Sequence, residues 1–292
     1  MAFRTVILSK DSKISLRMKH LVVKNENLVR IPIHEISTVI IENPNILMSG
    51  HILNALTESK VLVILCDKYH LPSTIIEPIY GHHRQSKNIK KQIKWTMDKA
   101  DFLWKRIIEE KIRNQSKVLN YYVPEYDLDS FKKYSKSVEL GDISNREGHA
   151  AKVYFRQLFG DDFIRHYDDI ENVCLNYGYA LISSAISRSI KSKGYLTEVG
   201  IKHMSEYNQQ NLTSDLMEVF RPLVDYWVRE LDPYEFGKEE KRYILDLLNT
   251  KINIKGKNQY FLNAVEIYLD GIFRYMEHGE EKHLVFPSFK FN

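Results

Sequence analysis

The spacing of apolar residues changes once along this chain, near residue 80. Before that point the apolar residues form short β-branched runs separated by Asn and Pro, a pattern typical of strands. One helix is expected among them, in SGHILNALTES, where Ser49 can act as the N-cap of an apolar helix face. The predicted strands lie in RTVILS, ISLRMKHLVVKN, LVRIP, EISTVIIEN, VLVILCD and STIIEPIYG.

After residue 80 the apolar residues recur at helical spacing. Residues 81–94 are polar and basic, and they are predicted to connect the first part of the chain to a long helix through 93–108. The sequence therefore predicts an α+β fold, with a small β-rich domain at 1–80 and a larger all-α domain at 81–292. Further helices are predicted near 128–138, 145–159, 168–191, 214–231, 239–249 and 258–277.

The composition is that of an ordinary globular protein. With 43% hydrophobic and 27% charged residues, the chain of 292 residues is not expected to be disordered. No apolar run approaches the roughly 18 to 20 residues of a membrane span, and the N-terminal MAFRTVILSKDSK carries charges where a signal peptide needs an apolar core. A cytoplasmic location without a membrane is expected. Cys66 and Cys174 lie in apolar runs, which indicates core residues rather than a disulfide scaffold or a zinc site.

The predicted helix in SNREGHAAKVYFRQLFG carries an acid on its apolar stripe. At about 100° per residue, Glu147 falls on the same side as Ala150 and Tyr154. Ser144 and Glu147 match a capping box, which would explain the acid without any chemistry. Alternatively, Glu147 faces a domain interior as a ligand of a divalent metal. The residues alone leave both interpretations open.

A second segment, GIKHMSEYNQQNLTSDLMEVFRPLVDYW, carries two acids and a histidine. Asp215 and Glu218 lie three residues apart on the polar side of the predicted helix, and His203 precedes them in a loop. The acids could form a solvated helix face, which the helix dipole favours near an N-terminus. Together with Glu147, however, His203 and Glu218 would supply an oxygen and nitrogen ligand set suited to Mg²⁺ or Mn²⁺ and to phosphoryl transfer.

At these two segments the sequence resembles the CRISPR-associated integrase family, the "Cas-one" endonuclease that acts in spacer acquisition. The resemblance rests on NREGHAAKVYF, on GIKHMSEYNQQNLTSDLMEVFRPLVD, and on the order of a β-rich domain followed by a helical one. It covers essentially the whole chain. The length and the Glu at position 218 are most similar to members from type II CRISPR systems.

The resemblance implies roles for the candidate site residues. Glu147, His203 and Glu218 match the family's catalytic metal ligands, which hold Mg²⁺ or Mn²⁺. Many members carry Asp at the last of these positions, so Glu218 has an arm one methylene longer. Asp215 matches an acid with a supporting role. Arg221 belongs to the matching FRP run, and the sequence leaves open whether it contacts phosphate or a neighbouring acid.

The resemblance also implies a reaction and partners. The 3′-hydroxyl of a captured double-stranded DNA fragment attacks a phosphodiester at the leader end of the CRISPR array, in a transesterification that needs no nucleotide triphosphate. Members also cut branched DNA. They form homodimers through the β-rich domains, and two dimers flank a dimer of a small second adaptation protein in a heterohexamer. The RNA-guided effector and an accessory adaptation protein are further candidate partners.

Two basic clusters are candidates for contacts with the DNA backbone. The net charge of +4 is too small to identify a nucleic-acid binder by itself, but the resemblance implies a DNA path shared among several chains. Both clusters could instead be solvated surface, and a helix C-terminus favours basic residues anyway. The first cluster lies in the predicted connection and the second at the end of the 168–191 helix. The first comprises His82, His83, Arg84, Lys87, Lys90, Lys91 and Lys94, and the second comprises Arg188, Lys191 and Lys193.

Two other functions stay open at this stage. A non-catalytic DNA-binding scaffold would keep the fold without the chemistry, and the Glu at position 218 is the sequence feature that favours it. A general structure-specific repair nuclease would share the site but not the partners.

Overall fold

The computed structural model describes residues 4–77 and 82–291. The chain divides into two compact units, residues 1–83 and 84–292. The boundary predicted between residues 80 and 81 lies outside the described residues. The same holds for the end of the predicted strand STIIEPIYG, from residue 78 onward, and for the first three residues of the N-terminal segment.

The smaller unit consists of strands with one α-helix, as predicted. Each predicted run contains a strand, and ISLRMKHLVVKN contains two. The short strand β6 had no counterpart among the predictions. The elements are β1 (Arg4–Leu8), β2 (Lys13–Arg17), β3 (His20–Lys24), β4 (Leu28–Pro32), β5 (Ile36–Ile41), β6 (Leu47–Met48), α1 (Gly50–Glu58), β7 (Leu62–Cys66) and β8 (Pro72–Ile76).

These strands form two four-stranded sheets. In the first, with order β1-β5-β7-β8, the β-branched strands β1, β5 and β7 run parallel and β8 runs antiparallel. In the second, with order β4-β3-β2-β6, the first three strands form an antiparallel meander. Both sheets contribute to one apolar core, into which α1 inserts Ile52 and Leu56. Ser49 occupies the N-cap position of α1, but its side chain makes no capping hydrogen bond.

The larger unit is mostly helical. The helices are α2 (Gln85–Gln92), α3 (Met97–Tyr122), α4 (Asp129–Lys136), α5 (Arg146–Phe159), α6 (Ile170–Ser192), α7 (Asn211–Met217), α8 (Arg221–Leu231), α9 (Lys238–Leu245) and α10 (Phe261–His278). Helix α3 packs against α4, α5 and α8, and α6 packs against α7, α8, α9 and α10. No helix in the described ranges is long and apolar enough to cross a membrane.

The predicted connection at 81–94 is wrong where α2 forms. Gln92 at the end of this helix is buried, and its side-chain amide donates to the carbonyls of Leu196 and Val199 and accepts from the Leu196 amide. These contacts are more than 100 residues away in sequence. They stabilise a helix whose own sequence is polar and basic, and the long helix then starts afresh at Met97.

The predicted helix at 214–231 is two α-helices joined by a 3-10 turn. α7 ends at Met217, Glu218–Phe220 form the turn, and α8 follows with Pro222 in its first turn. Proline has no amide hydrogen and is therefore tolerated only at the start of a helix, which places the break here. The candidate acid Glu218 consequently lies at a junction between helices rather than in the middle of one.

A β-hairpin corrects the expectation that the larger domain is all-α, although the α+β fold class is confirmed. Strands β9 (Lys251–Ile254) and β10 (Lys257–Tyr260) pair antiparallel within the segment that follows α9. Lys255 and Gly256 join them with φ of 51° and 73°, as a two-residue hairpin loop requires. The predicted helix at 258–277 therefore begins only at Phe261.

Candidate active site

The start of α5 shows that Glu147 is not a capping residue. The Asn145 side chain accepts from the amide three residues further on, at 3.2 Å. Asp142 accepts from the amides of Arg146 and Glu147, at 2.8 and 3.0 Å. The Ser144 hydroxyl is buried without a hydrogen-bond partner. The capping-box interpretation is therefore wrong, and the Glu147 carboxylate points elsewhere.

Glu147 and Glu218 converge on one ammonium group. Lys111 Nζ on α3 lies 2.6 Å from Glu147 Oε1 and also donates to Glu218 Oε2. The Lys111 and Glu218 side chains are buried, whereas Glu147 is 28% exposed. Burial favours neutral lysine, but the two carboxylates outweigh this and raise the pKa of Lys111 above its usual value. Lys111 is thus a buried cation shared by two acids.

The second oxygen of Glu218 also has a cationic partner. Arg221 donates from one terminal nitrogen to Glu218 Oε1 at 2.8 Å, and its guanidinium lies 4.3 Å from the centre of the Tyr179 ring. Burial opposes ionisation of Glu218, but Arg221 and Lys111 together lower the pKa of its carboxyl well below the usual range. The solvated-face interpretation is wrong for Glu218, and Arg221 contacts an acid.

His203 is held by Asp215. Asp215 is fully buried and accepts hydrogen bonds from the amides of Ile201, Lys202 and His203 at 2.6, 2.9 and 3.1 Å. The His203 Nδ1 lies 2.6 Å from Asp215 Oδ1. Because a carboxylate can only accept, Nδ1 carries a proton and Nε2 is the nitrogen that can serve as a ligand. The hydrogen bond to Asp215 raises the pKa of the half-exposed imidazole, and Trp104 packs edge-on against the ring.

The four acidic and imidazole side chains therefore form two pairs. Glu147 and Glu218 meet on Lys111, and His203 meets Asp215. Within residues 4–77 and 82–291, no three His, Cys, Asp or Glu side chains converge closely enough to hold a metal ion as they stand. Both Glu218 and Glu147 nevertheless contribute to raising the pKa of His203, so the two pairs are within electrostatic range.

The donors present fit a divalent cation. Two carboxylates already bind a single positive charge, the Lys111 ammonium, and the imidazole offers a nitrogen whose orientation a carboxylate fixes. Carboxylate oxygen with a carboxylate-oriented histidine is a donor set that suits Mg²⁺ or Mn²⁺. Lys111 occupies the position between the acids.

A cavity of about 410 Å³ adjoins Glu147, Lys111 and Arg221 on the side of α5. Its wall combines basic and aromatic side chains with the buried acid Asp225. Apart from Arg221, these basic residues were not identified from the sequence, because Lys and Arg side chains are usually exposed to solvent. The wall includes Lys111, Glu147, Lys152, Arg156, Arg165, His166, Tyr179, Arg221 and Asp225.

The predicted DNA-contacting residues lie outside this cavity, Arg221 excepted. Lys91 pairs with Glu277. Lys193 of the second cluster lies 2.6 Å from both Glu266 and Asp270. In the first cluster Arg84, Lys87 and Lys90 are exposed, and in the second Arg188 and Lys191 are half-buried. Their contact with DNA stays a prediction.

Asp225, in the cavity wall, makes a pH-dependent contribution to the folding stability of the protein. Burial raises its pKa from 3.8 to about 6, although Tyr179 donates a hydrogen bond to it. Between these values the folded chain binds more protons than the unfolded chain, so this group lowers stability as the pH rises. Between pH 4 and pH 7 we therefore expect the free energy of unfolding of Asp225→Asn, measured relative to that of the wild type, to rise by about 3 kcal/mol. Urea denaturation of both proteins at several pH values measures this difference. A difference in unfolding free energy that stays constant from pH 4 to pH 7 would contradict the prediction.

Two carboxylates that converge on one cation position, beside a cavity with a basic wall, are compatible with chemistry at a phosphodiester. The family is defined by sequence: residues 5–246 match the model of the family described as CRISPR associated protein Cas1. The chain belongs to this family, which confirms the resemblance predicted from its motifs.

Individual relatives are similar to this chain over nearly its whole length. The chain is 31% identical over 274 residues to the CRISPR-associated endonuclease Cas1 of Neisseria meningitidis serogroup C (strain 8013), covering 91% of this chain and 90% of that protein. Among solved structures, it resembles a casposase bound to integration product (TM-score 0.77, 20% identity, 95% of this chain and 92% of that one). It also resembles a Cas6-RT-Cas1–Cas2 complex (TM-score 0.71, 19% identity, 98% of this chain and 36% of that one).

Proposed function

We propose that this chain is a DNA integrase and endonuclease of CRISPR adaptation, which joins the 3′-hydroxyl ends of captured DNA fragments to the CRISPR array by transesterification. The observation that carries the proposal is the convergence of Glu147 and Glu218 on one cation position within a Cas1-family fold. The likeness to a casposase bound to integration product supports strand transfer as the reaction.

In this proposal Glu147, Glu218 and His203 hold Mg²⁺ or Mn²⁺. The ion would polarise the scissile phosphodiester and stabilise the charge that develops on its oxygens. Asp215 orients His203 and fixes the loop that carries it. Arg221 keeps Glu218 ionised, and Lys152 and Arg156 in the cavity wall would position the DNA backbone through its phosphates.

The partners in the proposal are double-stranded DNA, a second copy of the chain, and a small protein like the Cas2 named in the similar complex. We propose that the β-rich unit mediates the homodimer and that two dimers flank the small protein in a heterohexamer. The RNA-guided effector and an accessory adaptation protein would act in selecting fragments.

The longer arm of Glu218 does not argue for a non-catalytic scaffold. Its carboxylate reaches the same ammonium as Glu147, so the extra methylene is compatible with convergence of the two acids. This removes the sequence feature that favoured the scaffold hypothesis.

Strand transfer into a supercoiled plasmid carrying a CRISPR array tests the proposal. With the small adaptation protein present, a short duplex should be joined in Mg²⁺ or Mn²⁺ and not in EDTA, while DNA binding should persist in EDTA. A duplex whose 3′ ends lack the hydroxyl is the matched control, because it has no nucleophile. Absence of strand transfer with either metal would favour a scaffold. Cutting without array preference, and without binding to the small protein, would favour a repair nuclease.

A further inference from the structure

Lys111 occupies the space that a shared metal ion would need. Its ammonium donates to Glu147 Oε1 and to Glu218 Oε2 and so links the two carboxylates. Glu218 Oε1 already accepts from Arg221. Both oxygens of Glu218 therefore already contact a side-chain cation. A metal ion bound by Glu147 and Glu218 together must coordinate one of these two oxygens.

Electrostatic repulsion favours the same exchange. The two negative charges of Glu147 and Glu218 are offset by the positive charges of Lys111 and Arg221. A divalent ion added beside a buried ammonium would be repelled by it at short range. If Lys111 moves away as the ion binds, the acids keep a positive partner throughout.

The structure offers a place for the displaced side chain. The lysine stem is long and flexible, and Lys111 lines the adjoining cavity of about 410 Å³. Asp225 lies in the wall of that cavity and is buried. The ammonium of Lys111 already acts on Asp225 electrostatically, lowering the pKa that burial raises.

We propose that Lys111 is a built-in counter-ion, which holds Glu147 and Glu218 together in the metal-free protein and moves into the cavity toward Asp225 when a divalent ion binds. Lys111 is thus a positioning residue that competes with the metal. The inference rests on the proposed function, since it takes Glu147 and Glu218 as ligands.

Titration of the full-length chain with Mn²⁺ alone tests the inference. Lys111→Met keeps the apolar stem and removes the ammonium, so Mn²⁺ should bind at least tenfold more tightly than to the wild type, as measured by the loss of the free Mn²⁺ electron paramagnetic resonance signal. In EDTA the variant should melt at a lower temperature, because the buried Glu218 and the partly exposed Glu147 then lack their shared partner. Mn²⁺ should raise its melting temperature more than that of the wild type. Equal or weaker Mn²⁺ binding overturns the inference, since a merely structural lysine would not oppose the metal.

Two further variants sharpen the test. Lys241→Met removes another buried lysine of the same unit, which lies on α9 and packs over the Phe236 ring. This variant should bind Mn²⁺ like the wild type. Lys111→Gln retains hydrogen-bond donors without the charge and should also bind Mn²⁺ more tightly, which covers the case that the methionine variant does not fold.

A structure of the wild type with Mn²⁺ gives a test that needs no variant. Lys111 Nζ should lie away from both carboxylates, and an ammonium still bridging them beside a bound ion overturns the inference. Metal-dependent strand transfer by the wild type is scored separately. If that activity is present while Lys111→Met binds Mn²⁺ like the wild type, only the inference fails; if it is absent, the proposed function fails whatever Lys111 does.

Discussion

Replacing Glu147 with alanine is expected to reduce strand transfer by roughly 10³-fold, which corresponds to about 4 kcal/mol of lost transition-state stabilisation. The carboxylate is not a helix cap, and its side chain pairs with Lys111, so its removal should act on chemistry more than on folding. Lys111 keeps Glu218 as a partner in the variant. Integration of a short duplex into the array plasmid measures the activity, and thermal unfolding measures the fold.

The control for this variant is Glu239→Ala, which removes an exposed acid from the first turn of α9. It should leave strand transfer unchanged. Glu147→Gln preserves the shape of the side chain and should lose activity like the alanine variant if charge is what matters. Full activity in Glu147→Ala would end the assignment of this acid.

Replacing Asp215 with alanine is expected to lower the free energy of unfolding by about 3–5 kcal/mol and to abolish strand transfer. Three backbone amides and the His203 ring lose their acceptor together, and a buried donor left without a partner costs its full desolvation free energy. Urea denaturation measures the stability, and the plasmid assay measures the activity.

His203→Ala is the informative comparison for Asp215. The His203 side chain is 48% exposed, so this variant should unfold at nearly the same urea concentration as the wild type while losing strand transfer. Asp215→Asn keeps one acceptor oxygen and should be intermediate in stability. An Asp215→Ala chain as stable as the wild type would contradict the role given to this carboxylate.

The architecture was predictable where local sequence decides structure. The β-branched runs formed strands because their side chains pack on both sheets of one core. The break at Pro222 and the Lys255–Gly256 turn were both readable from turn and helix-start rules, and the predictions overlooked them. Helix α2 could not be predicted from its local sequence, because it is stabilised by contacts of Gln92 with a loop that is distant in sequence.

The candidate site was predictable only in its acids and histidine. Glu147 was identified as a candidate because it interrupts an apolar stripe. Lys111 interrupts an apolar stripe in the same way, beside Ile107, Ile108 and Ile112. A lysine in such a stripe usually extends its charge to water. Its acidic partners lie 36 and 107 residues away, so only the tertiary fold distinguishes a buried counter-ion from a surface lysine.

The 3-10 turn at Glu218–Phe220 has a consequence for how the site tolerates change. In 3-10 geometry the side chains at positions i and i+3 eclipse each other, which helps bring Arg221 over Glu218. A substitution at Pro222 that allowed one continuous α-helix would rotate these two side chains apart and turn the carboxylate, without altering any residue that touches it. The break between α7 and α8 therefore sets the orientation of the Glu218 carboxylate. A sequence that lost this break would not place the same pair of acids together.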